Sequence, residues 1–218
     1  MTRSTDVSGR WRTRLNGVFV ALVVGIFAVG GAVAAPFTAE DKADIANAEA
    51  YLNGLKTMQS RFVQVASDGS YAEGTLSLDR PGKMRIEYDP PSPVLVVADG
   101  NFLIYFDKDL QQVSHLGLDD TPAGLLLADK VSLSGKVTVQ SIERRAGVLS
   151  IALANAKDPN EGRLTLVFSD KPLQLRKWIV TDQQGITTNF SLLSARFGLD
   201  LSPDLFKFTR PPDPERRD

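Results

Sequence analysis

The feature that most restricts the fold of this chain is a hydrophobic period of two. Met84, Ile86 and Tyr88 alternate with Arg85 and Glu87. Leu149, Ile151 and Leu153 alternate with Val148, Ser150 and Ala152, and Leu164, Leu166 and Phe168 with Thr165 and Val167. Ile186, Thr188, Phe190 and Leu192 alternate with Thr187, Asn189 and Ser191. Successive side chains of a strand point to opposite faces, so each segment predicts a strand with one buried face. Val94 to Ala98 and Phe102 to Phe106 are apolar throughout, with Asp99-Gly100 between them. Asp-Gly predicts a tight type I′ hairpin, because both of its central residues need positive φ. Further turn signals stand at Asp68-Gly69, Pro81-Gly82, Pro90-Pro91, Ala146-Gly147, Glu161-Gly162, Asp170 to Pro172 and Gln184-Gly185. Short strands with such regular punctuation predict an antiparallel sandwich or barrel of roughly eleven strands.

Three segments break the pattern. Thr38 to Asp41 resembles a capping box with Asp in the place of Glu, and Ile45, Ala48, Leu52 and Leu55 follow at helical spacing. This predicts one amphipathic helix ending near Asn53-Gly54, laid over one side of the sheet. Thr121-Pro122 places an N-cap before a proline at the first helical position, ahead of Leu125, Leu126 and Leu127. Ser202-Pro203 does the same on a smaller scale. The fold class expected is therefore mostly β, of α+β type.

The two ends read differently from the middle. Arg3, Arg10, Arg12 and Arg14 precede an apolar run from Val18 to Val29 that only Gly25 interrupts. Ala32-Val33-Ala34 then supplies the small-x-small pattern of a signal-peptidase site. A membrane anchor is the competing reading, since Val18 to Ala35 approaches spanning length. The small-residue texture after Val29 favours cleavage. Residues 1–34 are expected to be a signal peptide, 35–210 the folded domain, and 211–218 a polar, proline-rich, disordered tail.

Composition removes several kinds of chemistry. The 218 residues carry a net charge of -1, so no large basic surface is available and nucleic acid is not an expected partner. There are no cysteines, hence no disulfide, thiol nucleophile, thiolate metal site or cysteine lipid anchor. His115 is the only histidine and reads as structural. No Gly-x-Ser-x-Gly elbow, Walker A loop or dinucleotide glycine pattern occurs. Asp107-Lys108-Asp109 begins like a calcium loop but lacks the glycine and the closing glutamate, so it reads as a hairpin turn. No catalytic residue, metal or cofactor is expected. What remains is apolar supply, which either fills an ordinary core or holds a hydrophobic ligand between sheet and helices.

One ordered set of fragments tips that balance. Phe62-Val63-Gln64 is followed by Gly74-Thr75-Leu76-Ser77-Leu78-Asp79-Arg80-Pro81-Gly82-Lys83-Met84-Arg85-Ile86-Glu87-Tyr88-Asp89-Pro90-Pro91. Then come Val96 to Gly100, Tyr105-Phe106-Asp107, Gln111-Gln112-Val113 and Thr121-Pro122-Ala123-Gly124-Leu125-Leu126-Leu127. Trp178 to Asp182, Gly185 and Phe206 to Pro212 close the series. This order resembles the LolA family of periplasmic lipoprotein carriers over nearly all of the expected mature chain, most specifically from Gly74 to Pro91.

The resemblance implies an incomplete antiparallel β-barrel of about eleven strands with a helical lid over its apolar concave side. It implies a monomer that takes acylated lipoproteins from an inner-membrane transporter and hands them to an outer-membrane receptor, with no enzymatic step. Leu76, Leu78, Met84, Ile86 and Phe62 are then candidates for the cavity wall, and Leu125, Leu126 and Leu127 for the lid. Arg80 matches the family arginine that holds the lid closed, here expected against Thr121 to Ala128. Met84 and Ile86 are aliphatic where the family often carries aromatic residues, and the chain after Pro212 is short where many members continue to another strand. The receptor-like relatives carry a lipidated cysteine, which this chain lacks. Two other readings stay open: a carrier of the same fold for a glycolipid or phospholipid, and a periplasmic sensor or scaffold module that carries no lipid.

Overall fold

The computed structural model describes residues 36–210; the expected signal peptide and tail lie outside them. Helix α1 (Ala39–Gly54) begins at a capping box: the Thr38 hydroxyl accepts from the Asp41 N–H at 3.1 Å, and the Asp41 carboxylate accepts from the Thr38 N–H at 2.8 Å. Its apolar stripe buries Ala48 and Leu52, with Leu55 just beyond the last turn.

The strands form two consecutive groups that join at the middle of one sheet. The first group is β1 (Thr57–Ala66), β2 (Tyr71–Asp79), β3 (Lys83–Tyr88), β4 (Val94–Asp99), β5 (Phe102–Asp107) and β6 (Gln112–Gly117). A 3-10 turn (Leu118–Asp120) and the short helix α2 (Pro122–Leu127) come next. The second group is β7 (Val137–Arg145), β8 (Val148–Asn155), β9 (Gly162–Ser169), β10 (Gln174–Asp182) and β11 (Thr187–Phe197). The spatial order is β6-β5-β4-β3-β2-β1-β11-β10-β9-β8-β7, antiparallel at every step. Pairing of β1 with β11 welds the two groups, while β6 and β7 remain as separate edges. The sheet is an unclosed barrel.

Register places the alternating apolar residues on one face. Leu76 sits opposite Ile86 and Leu78 opposite Met84, and directly opposed residues of an antiparallel pair share a face. This concave face carries the main core, which includes Phe62, Leu76, Ile151, Leu166 and Phe168, and both helices lie over it. The uninterrupted apolar runs of β4 and β5 have a separate cause. Leu95, Val97 and Phe106 point to the convex face, where the chain end after β11 covers them. Phe206 of the 3-10 turn Pro203–Phe206 is buried, Phe208 meets Phe106 edge-on at 5.5 Å, and Arg210 donates to the Gln111 carbonyl at 2.6 Å.

Three local expectations are corrected. The β4–β5 loop is Gly100-Asn101, and only Gly100 takes positive φ (112°), so the turn is not type I′. The Asp99 carboxylate accepts from the N–H groups of Asn101 and Phe102, and that Asx turn replaces the second positive φ. Ile186 lies before β11 and is exposed, because the loop is pinned by Asp182 instead. Ala152 and Ala154 of β8 are buried along with their alternating neighbours, so this strand is buried on both faces. Asp107 forms the expected turn, accepting from the N–H groups of Asp109 and Leu110 at 2.9 Å each.

Candidate ligand cavity

Between the concave face and the helices lies a cavity of about 310 Å³. Its sheet side is built from Met58 of β1, Leu76 and Leu78 of β2, Met84 and Ile86 of β3, and Val96 and Leu103 of β4 and β5. Across the β1–β11 seam it continues to Leu164 of β9 and to Leu175, Trp178 and Val180 of β10. Leu52 of α1 and Leu55 just past it roof the cavity, with Pro122, Ala123, Leu126 and Leu127 of α2. Among the described residues, no charged side chain lines it. The one hydroxyl in that lining, that of Thr121, is already engaged: it accepts from the Gly124 N–H and donates to the Leu118 carbonyl. Such a space offers an entering molecule dispersion contacts and desolvation, and little else.

Of the residues singled out by sequence, Leu76, Leu78, Met84, Ile86, Leu126 and Leu127 line the cavity. Phe62 and Leu125 do not. Phe62 faces inward but is sealed within a row of rings on the concave face. It stacks on Phe190 at 4.2 Å, Phe190 stacks on Trp178 at 4.3 Å, and Tyr88 meets Phe62 edge-on at 5.1 Å. Burial pushes the Tyr88 phenol up to about 12, and its hydroxyl donates to Gln64 at 2.6 Å. Leu125 is half-buried against the core on a flank of α2. Sequence reasoning misses Leu52 and Leu55, whose helical spacing announces only a cover for the sheet. It also misses Leu164, Leu175, Trp178 and Val180, which reach the site only through the long-range β1–β11 pairing. The alternation through Leu164 marks a buried face, but nothing local says which strand stands next to it.

Arg80 follows β2 and is buried to 7% exposure. One terminal nitrogen donates to the Leu52 and Leu55 carbonyls at the C-terminal end of α1. The other donates to the Ala128 carbonyl at 2.5 Å and lies 3.5 Å from that of Asp129, just past α2. Contact with Ala128 falls in the expected segment; the hold on α1 does not, because spacing cannot show that two helix ends converge. Carbonyls at helix C-termini lack intrahelical donors, so a forked cation suits them. Burial lowers the Arg80 pKa and the Asp129 charge opposes that. A guanidinium keeps its proton through such shifts.

Other contacts tie the roof into one piece. Asn53 of α1 and Val131 exchange two hydrogen bonds of 2.9 Å, and the Glu49 carboxylate accepts from the Leu133 N–H at 2.6 Å. The Gly82 N–H donates to the Leu127 carbonyl at 2.8 Å. At its other end α1 meets Arg144 of β7, which bridges Asp41 at 2.8 Å and Asp44 at 2.6 Å, with Glu40 at 3.5 Å.

An unclosed antiparallel barrel with an apolar, helix-roofed cavity is now joined by a match in sequence. The family model described as outer membrane lipoprotein carrier protein LolA covers residues 53–209. The chain belongs to the LolA family. An outer-membrane lipoprotein carrier protein of Methylococcus capsulatus is 30% identical over 75% of this chain and 82% of its own length. One from Pseudomonas aeruginosa is 30% identical over 88% of this chain and 94% of its own. Among solved structures, a LolA superfamily protein from Nitrosomonas europaea aligns with a TM-score of 0.42 and 11% identity, over 75% of this chain and 97% of that one. The LolA family match runs from the C-terminal end of α1 to the chain end that covers β4 and β5, and it includes every residue of the cavity lining except Leu52.

Proposed function

We propose that this chain is exported to the periplasm, loses residues 1–34, and carries acylated lipoproteins from an inner-membrane transporter to an outer-membrane receptor. The observation that supports this best is the cavity: lined by uncharged side chains, all aliphatic, thioether or aromatic apart from one satisfied hydroxyl, and roofed by helices that a buried arginine ties together. Its size bears on how it works. A dry apolar cavity of roughly 150 Å³ takes one benzene, so this one accommodates roughly a dozen carbons with its roof closed. Burying that many methylenes at about 0.8 kcal/mol each gains on the order of 10 kcal/mol. A ligand held so strongly does not escape quickly into water, and transfer therefore needs direct contact with another apolar site. Closing the roof refills part of the vacated space and offsets part of the lost contact, which favours release to a tighter-binding receptor. The chain has no nucleotide-binding motif, so the energy for loading comes from a partner.

The test uses purified mature protein and spheroplasts. Wild-type protein should bring lipoproteins into the soluble fraction, and Leu78→Glu should not, because a carboxylate in the cavity wall repels acyl chains. Mass spectrometry of the protein isolated gently from its own periplasm identifies the cargo. No release by wild type, together with correct lipoprotein sorting after depletion, rejects the lipoprotein reading; a bound glycolipid or phospholipid replaces it with a carrier for that lipid.

A further inference from the structure

The cavity is not the end of the apolar surface on the concave face. Leu103 lines it, and Leu116 of β6 lies directly opposite Leu103 in the β5–β6 ladder. Val96 also lines it, and Tyr105 lies directly opposite Val96 in the β4–β5 ladder. Opposed residues share a face, so Leu116 and Tyr105 extend the cavity wall outward toward the β6 edge. Tyr105 also sits near enough to Tyr88 on that face to affect its titration. Both are open to solvent, Leu116 at 53% and Tyr105 at 41% exposure. Scattered exposed apolar residues are ordinary, but these two are continuous with a cavity.

The opposite edge is built differently. There Arg144 of β7 locks the first two turns of α1 through Glu40, Asp41 and Asp44, and Ile142 packs against the core. The sheet therefore has one margin shut by ion pairs and one where Leu116 and Tyr105 stand uncovered beside Ser114.

Resting on the acyl-carrier reading above, we infer that the cavity opens between α2 and β5–β6, and that Leu116 and Tyr105 form an external track for acyl chain that the cavity does not hold. With the roof closed, the cavity volume of about 310 Å³ leaves the rest of a large ligand outside it. About a dozen carbons fit inside while the roof is closed, and a lipoprotein bearing several long chains presents many more. Chain left in water costs about 0.8 kcal/mol per methylene, so an adjoining apolar strip is where it settles. This assigns the track one occupant: the overflow of the same ligand.

The test uses full mature protein with a photo-crosslinking phenylalanine analogue in place of Tyr105, Leu116 or, on the shut margin, Ile142. The probe is a synthetic triacylated lipopeptide, with Trp178 fluorescence reporting entry into the cavity. Labelling is expected from positions 105 and 116 and not from 142. Tyr105→Ser with Leu116→Ser should bind the triacylated probe about tenfold more weakly, equivalent to about 1.4 kcal/mol. The same double variant should bind a single-chain fatty acid of about twelve carbons as wild type does. A Trp178 response with no labelling at 105 and 116, equal labelling at 142, or unchanged affinity of the double variant overturns the track while leaving the carrier reading intact. If the lipopeptide gives no Trp178 response and no labelling at any position, the carrier reading fails and the track falls with it.

Discussion

Asn53 and Val131, which are 78 positions apart, face each other as two strands would: the Asn53 amide N–H donates to the Val131 carbonyl and the Val131 N–H donates to the Asn53 side-chain oxygen, both at 2.9 Å. A side chain here stands in for a backbone partner. Val131 is buried, so losing Asn53 leaves two buried backbone groups without partners. Asn53→Ala should cost about 1–3 kcal/mol of stability. The Val131 and Leu133 amides should then exchange hydrogen much faster than those of β1 and β2, because the segment between α2 and β7 lifts before the sheet melts. Equal acceleration everywhere in the chain would show that Asn53 serves global folding and not the roof.

Arg80 holds two helix ends with one fork. A lysine presents its donors from one point and cannot span from Leu55 to Ala128 as two terminal nitrogens do. Charge-assisted hydrogen bonds contribute about 1.5–3 kcal/mol each. Arg80→Leu should therefore shift the roof toward the open form by tenfold or more while the sheet stays folded, and Arg80→Lys should fall between. The cysteine-free sequence allows two spin labels, at Asn47→Cys on the exposed side of α1 and Lys108→Cys at the β5–β6 turn. A wild-type distance distribution in Arg80→Leu rules out the latch.

The opposite end of α1 responds to acid. The Thr38 N–H and hydroxyl, and then Arg144, hold the Asp41 carboxyl below its ordinary value of 3.8. A lowered folded-state pKa means that the carboxylate's stabilising contribution is complete above 3.8, where the unfolded chain is also ionised. It disappears as pH falls through the lower, folded value. Acidification below pH 3.8 should thus loosen the first turn of α1 in wild type. Arg144→Ala should lose part of this dependence, having already lost one of the groups that favour ionised Asp41. Amide exchange of Asp41 to Asp44 against pH checks it; identical profiles for the two proteins would exclude a role for Arg144.

The strands are legible because burying one face forces a period of two, and that period survives in the sequence at Met84 to Tyr88 and Leu164 to Phe168. The capping residues of both helices are legible for a similar local reason: Thr38 and Thr121 each bond a backbone N–H three positions on. Two thirds of the cavity lining, twelve of its eighteen residues, is not. Leu175, Trp178 and Val180 reach it through the pairing of β1 with β11, whose partners stand far apart in the chain, as Phe62 and Leu192 do. The convex core is hidden likewise, since no local pattern says that Phe208 returns to cover Phe106. Sequence places Phe62 on the correct face but not at the correct depth, because alternation reports direction and not what lies in front.

Gly74 explains that depth. A Cβ built there would stand 2.2 Å from the Glu87 carbonyl oxygen and 2.7 Å from two ring carbons of Phe62. Neither can yield freely: one is backbone of the β2–β3 ladder, and the ring is held between Phe190 and Tyr88. Gly74→Ala should destabilise by about 1–3 kcal/mol, as overpacking does elsewhere. The shift of Phe62 should travel along the stack, so the near-ultraviolet circular dichroism of the Trp178–Phe190 pair should weaken as well. A substitution without effect on either would mean that the sheet spreads at this point at little cost.

Trp178 offers the most direct reading of the cavity. The sequence has two tryptophans, Trp11 and Trp178, and cleavage at the expected signal-peptide site would leave Trp178 alone. Trp178 lines the cavity and stacks on Phe190 with ring planes 10° apart, which fixes its position relative to any ligand. An acyl chain entering beside Leu164 and Val180 replaces water or void around the indole with methylenes. Emission should shift to shorter wavelength and saturate as a triacylated lipopeptide is added. The same peptide without acyl chains should leave it unchanged. Leu78→Glu, in the β2 wall of the same cavity and outside the stack, should abolish the shift by expelling the chain, since an ionised carboxylate tolerates an apolar neighbour only at a cost of several kcal/mol. Sedimentation provides the independent check. Lipopeptide that co-sediments with wild-type protein while Trp178 emission stays constant would place the ligand somewhere other than this cavity.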